Sequence, residues 1–210
     1  MERRVFTASP PTASPLHSYN APRVFELIQI LYWLALSTWF GGVLFIAVTA
    51  PVVVRTVRQH NPVLTDILSV NLEGQHGTLL AGAIVGGLMG LVIPVELVCS
   101  AVMFVALIGH WVLLHPAGSG LVMPALRTFL YIAAVVLLLY QWRVVWPRVW
   151  KARQEYLDHA DEPEVANPAL DRLERYQSET ATVLAIRVAL LLAMILFSAN
   201  VYRTVAVPTP

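Results

Sequence analysis

The stretch Thr78–Leu114, TLLAGAIVGGLMGLVIPVELVCSAVMFVALIGHWVLL, holds one charged side chain, Glu96, in 37 residues. A bilayer crossing takes about 20 mostly apolar residues. Lipid offers the backbone no hydrogen-bond partner, so such a run has to be helical. It is too long for one straight crossing, and Pro94 lies inside it. An interior proline removes a helical hydrogen bond and crowds the preceding turn. The stretch is therefore read as a Gly-rich helix over 78–92, interfacial or partly inserted, joined to a crossing helix over 93–114. A single kinked helix is the alternative.

Working outward, three more apolar runs are long enough to cross: about 24–54, 121–146 and 180–202. The fold class is all-α, an integral membrane four-helix bundle with a Gly-rich extra helical segment. Residues 23–205 form the single transmembrane domain. Residues 1–22, rich in Pro, Ser and Thr, read as a disordered tail. The polar stretch 147–179 reads as a cytoplasmic helical hairpin broken around Pro163, with Asn167 and Pro168 as the cap and first turn of its second arm.

Composition agrees. Hydrophobic residues make up 57% and charged residues 13% of the 210, with mean hydropathy +0.65. Soluble domains carry about a quarter charged residues, so the deficit points to lipid as the solvent. A net charge of +1 gives no reason to expect a nucleic-acid partner. The single cysteine, Cys99, rules out a disulfide within the chain. Arg55, Arg58, Arg143, Arg148, Lys151, Arg153, Arg172 and Arg175 fall on the side of the two polar loops. Arg3, Arg4, Arg23, Arg127 and Arg203 fall on the other. The positive-inside rule puts both loops in the cytoplasm of a cell-membrane protein and both termini outside. Trp142, Trp146 and Trp150, four residues apart, read as an interface belt.

Gly82, Gly86 and Gly90 recur every four residues on one helical face, a spacing that lets helices pack closely, with Ser37 and Gly41 of the first segment as the facing pair. Glu96 and Arg187 both lie at membrane depth, counted from the same side. Intramembrane charges face the bundle interior and pair, so these two are read as a buried polar pair. Glu26 and Arg127 form a second candidate pair near the opposite side. Cys99, Met103 and His110 share a helix face with Glu96 and make a possible pathway or ligand face. Asn71–Gly77, NLEGQHG, is a polar loop suited to binding a headgroup, an ion or a partner, with a turn making helix N-terminal contacts as the plainer reading. The six histidines give no two haem ligands at one depth, and Met103 with His110 is too few soft ligands for copper. No metal or cofactor is expected, and no catalytic motif is present.

Several short motifs resemble a family of bacterial membrane proteins named domain of unknown function 4149, related to a vertebrate protein called transmembrane protein 205. They are Phe40-Gly41-Gly42 followed by Val48-Thr49-Ala50-Pro51, then Ala81-Gly82-Ala83-Ile84-Val85-Gly86, then Tyr140-Gln141, Val145-Trp146-Pro147 and Arg153. The resemblance covers about Leu27 to Asn200. It departs where the family carries Phe, His and Ser, here Leu173, Gln177 and Thr180. It implies a four-helix membrane architecture and no settled activity.

The leading functional expectation is a non-enzymatic membrane protein, structural or an accessory subunit of a membrane assembly. Its partners are the lipid bilayer and other membrane proteins or further copies of itself. A small transporter or ion pathway using Glu96 and Arg187 is the second expectation, and a copper or redox-associated membrane protein the third.

Overall fold

The computed structural model describes residues 21–60, 76–113, 122–159 and 162–205. Helix α1 spans Ala21–His60 and α2 spans His76–Leu113. Helix α3, Val122–Tyr140, runs through a π-helical turn, Gln141–Val145, into α4, Trp146–Asp158. Helix α5 spans Pro163–Val205. Counting α3, the π turn and α4 as one rod, four helices among the described residues are each long and apolar enough to cross a membrane. This is a multi-pass integral membrane protein.

At 1.5 Å per residue the 40 residues of α1 reach about 60 Å. The hydrocarbon core is about 30 Å thick, so the helices extend well past it. Their apolar residues fall into two sets. Leu27, Leu34, Val48, Val98, Val105, Phe129 and Leu196 point outward as a belt suited to lipid. The inward positions repeat every three and four residues: Tyr32, Leu36, Trp39, Val43 and Ile46 on α1, and Leu184, Leu191 and Met194 on α5, where the polar Arg187 and Ser198 fall on the same repeat. That alternation is the seam along which helices pack nearly parallel or antiparallel. Helix α1 packs along α2, and α5 packs along α3 and α4 and also meets α1.

Three structural features differ from the sequence reading. First, α2 passes through Pro94 unbroken, so 78–92 and 93–114 are not two helices. Ending a helix at membrane depth leaves several backbone groups unpaired, whereas a proline within it gives up one bond. Second, α5 begins at Pro163, and Asn167–Pro168 lies inside it. Val165 and Ala166 donate their N–H groups to the Glu162 carbonyl, at 3.0 and 2.9 Å. Pro163 sits in the first turn, where its missing N–H leaves no bond unmade. Third, α1 continues to His60, so Arg55 and Arg58 lie on helix rather than loop. The tail over residues 1–20 and residues 71–75 of the Asn71–Gly77 loop lie outside the described residues.

The α4–α5 hairpin is held by Tyr156, Ala166 and Ala169, which pack with Leu79 of α2. Arg172 Nη2 also donates to Glu155 Oε1 at 2.9 Å. The pair is exposed, so its contribution is at most about 1 kcal/mol; the apolar contact does most to hold the hairpin down.

Candidate functional site

Arg187 has an exposure of 0%, because its place in the three-four repeat of α5 turns it into the bundle. A lone guanidinium there would be very unfavourable, since it stays charged in any environment. Two side chains answer it. Its Nη2 donates to Glu96 Oε2 on α2, and its Nη1 donates to Gln141 Oε1 at 2.6 Å. Glu96 is 2% exposed and Gln141 1%. The triad thus ties α2, the α3–α4 rod and α5 together at mid-bundle. Gln141 also donates through Nε2 to Met89 Sδ at 3.9 Å, while Arg187 Nε has no hydrogen-bond partner among the described residues.

Gln141 opens the π turn. Such a turn adds one residue to a helical circuit and re-aims the side chains on either side, and it recurs at functional positions. Here Gln141 and Val145 both point inward. One residue earlier, the Tyr140 hydroxyl donates to Glu179 of α5, so two adjacent residues of the rod bind the same partner helix.

Above the triad, towards the hairpin end, lies a partly open cavity of about 390 Å³ lined by all four rods. The glycine ladder belongs here. A Cβ on Gly82 would come within 3.8 Å of Gln177 Nε2, and one on Gly86 within 3.7 Å of Trp146. Gly90 and Gly41 face open space, and Ser37 is exposed, so the expected seam between these two sets is absent. Close approach of α1 and α2 occurs instead at Gly77, where a Cβ would come within 3.3 Å of the Val57 carbonyl oxygen and 3.4 Å of Arg58 Cα, and at Gly109, where a Cβ would come within 2.9 Å of Ile28 Cδ1. Four-residue spacing marks a smooth helical face without saying what lies opposite it. Trp146 and Trp150 of the aromatic series also line the cavity, while Trp142 packs beneath Arg143, 4.4 Å from its ring.

The remaining candidates separate. Cys99 and Met103 are buried in the main apolar core. His110 Nδ1 donates to the Ala106 carbonyl at 2.8 Å, and its Nε2 lies 3.0 Å from Gln29 Oε1. Both ring nitrogens are therefore engaged. Among the described residues, no group of three or more His, Cys, Asp or Glu is placed to hold a metal ion. Glu26 is exposed, and Arg127 instead stacks over Tyr32, 4.6 Å from the ring centroid, whose hydroxyl bonds Ser198 at 2.8 Å. Arg127 is 5% exposed, and its Nε and Nη2 have no hydrogen-bond partner among the described residues.

Sequence reasoning named Gln141 and Arg153 within short motifs and the charge balance without giving either a site role, and it passed over the cavity. Gln141 had one signal: it is the lone amide in the run from Val122 to Val145 and falls on the repeat of Arg127, Ala134, Leu138 and Val145. The cavity had none, since it depends on how four helices splay.

Comparison with protein-family models, curated proteins and solved structures gives no match to this chain.

Proposed function

We propose that the protein is a non-catalytic component of the cell membrane, structural or accessory to a larger assembly, that holds a membrane-soluble molecule between its helices. The observation that carries this is the interhelical cavity of about 390 Å³. Its size falls within the range of about 300–1,000 Å³ usual for small-molecule sites. The Glu96–Arg187–Gln141 triad is the clasp that keeps three rods together around that space. The hairpin lies in the cytoplasm and both termini outside, on the balance of Lys and Arg. Membership of the domain of unknown function 4149 family belongs to the same proposal and rests on the motifs quoted above.

The test is extraction of the full chain in mild detergent, followed by mass spectrometry of whatever it releases in organic solvent. One tightly held apolar or amphiphilic molecule per chain is expected, absent from the cavity-filling variant Ala50→Phe. Empty wild-type protein would overturn the reading.

A second reading, a small ion pathway, is favoured by the depth of the Glu96–Arg187 pair, because charges in that position are functional candidates by default. Flux into liposomes that persists unchanged in Glu96→Gln would count against it.

A further inference from the structure

The cavity has a direction. Each rod contributes to it in the same order from the hairpin end inward. On α1 the lining runs from Arg58 through Val54 to Ile46; on α2, from Gly82 to Met89. On α4 it runs from Arg153 to Trp146, and on α5 from Gln177 and Thr180 to Leu184 and Ala185. Polar side chains therefore ring the mouth, and apolar ones form the floor. From Arg58 to Ile46 is 12 residues, or about 18 Å along the helix. One leaflet of the hydrocarbon core is about 15 Å thick, half of about 30 Å.

The charge at the mouth is of one sign. Arg58 and Arg153 line the cavity, and none of its described lining residues is Asp or Glu. Arg153 Nε is shut off from solvent with no hydrogen-bond partner among the described residues, and its guanidinium carbon lies 5.8 Å from the Trp150 ring centroid. An enclosed donor without an acceptor is a standing penalty that an anionic oxygen would relieve. Trp146 and Trp150 stand on the same wall, and tryptophan collects at the level of lipid headgroups.

Building on the proposed ligand-holding role, we infer that the cavity is a site for an anionic membrane lipid, with an acyl chain along the apolar floor and the phosphate beside Arg153 and Arg58. The length, the polarity gradient and the uncompensated positive rim all fit that occupant. A neutral hydrocarbon would leave the rim unanswered, and a free phosphate would leave the floor empty. Basic pockets between helices near the cytoplasmic face are known to take acidic headgroups.

The experiment uses full-length protein in nanodiscs of equimolar phosphatidylglycerol and phosphatidylcholine, released into native mass spectrometry. Wild type is expected to retain phosphatidylglycerol over phosphatidylcholine by roughly 10- to 30-fold, the effect of two near-surface arginines. Arg58→Gln/Arg153→Gln is expected to retain lipid with no preference. If the double variant fails to fold, Arg58→Gln alone, at an exposed position, should lower the preference several-fold; an undiminished preference there overturns the inference. Equal retention of both lipids by wild type overturns this inference and leaves the proposed function standing. Retention of neither overturns both. Inorganic phosphate that raises the melting temperature as much as phosphatidylglycerol does would refute the acyl-chain placement.

Discussion

Removing one partner of the Glu96–Arg187 pair should destabilise the protein unequally, depending on which partner goes. In Glu96→Gln the guanidinium at 187 stays charged, because arginine cannot shed its proton in a protein. It keeps the Gln141 oxygen as an acceptor at 2.6 Å and gains an amide oxygen in place of the carboxylate. Breaking a buried pair costs about 3–5 kcal/mol, so the lower figure applies. In Arg187→Met the carboxyl at 96 can take up a proton and become neutral, leaving a polar group without a partner. That costs about 1–3 kcal/mol, with about 2 kcal/mol expected. Additive effects would give a sum near 5 kcal/mol. The double variant contains neither charge, and replacing a buried pair with uncharged side chains is often close to neutral. It is therefore expected within about 2 kcal/mol of wild type, a coupling of at least about 3 kcal/mol. Reversible unfolding in mixed micelles of mild detergent and dodecyl sulfate, followed by helical circular dichroism, measures all four corners. A double variant as unstable as the summed singles refutes the coupling. Arg187→Met costing more than Glu96→Gln refutes the account of the asymmetry.

Gly82→Ala and Gly86→Ala are expected to be neutral or to stabilise by up to about 1 kcal/mol, because the added methyl meets ordinary contacts. Gly77→Ala should destabilise by about 1–3 kcal/mol, because its methyl meets the backbone of α1; thermal melting in detergent compares the three. Gly109→Ala should cost little, because the atom 2.9 Å from the new methyl is the movable Cδ1 end of Ile28, and Gly109→Ala/Ile28→Val, which removes that atom, should be at least as stable. Arg127→Met replaces a buried cation lacking partners at Nε and Nη2 among the described residues, so its melting temperature should match or exceed wild type.

How much of this was legible in the sequence depended on the physics behind each feature. Four crossing segments were legible, because one-dimensional hydropathy reports exclusion from water and little else. Counting from a shared end puts Glu96 and Arg187 at one depth, and their side chains meet between α2 and α5. Pro94 misled because proline is a breaker where water can take over the freed carbonyl. In a low-dielectric bundle the helix gives up one bond and carries on. The glycine ladder misled for another reason. Small residues every four positions show where a partner could approach, and only the packed bundle decides whether a helix or a cavity lies there. The π turn had no sequence signature, so the third member of the triad could not be placed against Arg187 by counting.

Met89 stands between the two polar features and determines how far they communicate. It lines the cavity and accepts the Gln141 amide at 3.9 Å, while Gln141 in turn holds Arg187. A thioether is a weak acceptor on a side chain with three rotatable bonds. A lipid chain pressing on it would shift the sulfur at little cost and leave the charged contact between Arg187 and Glu96 in place. Occupancy of the cavity and integrity of the clasp are therefore separable. Substitutions at 96 and 187 should change the unfolding free energy while leaving the choice between lipids alone. Substitutions at 58 and 153 should do the reverse. A variant at Glu96 that stays folded yet loses its preference for anionic lipid would show that Met89 transmits more than a weak sulfur contact can carry.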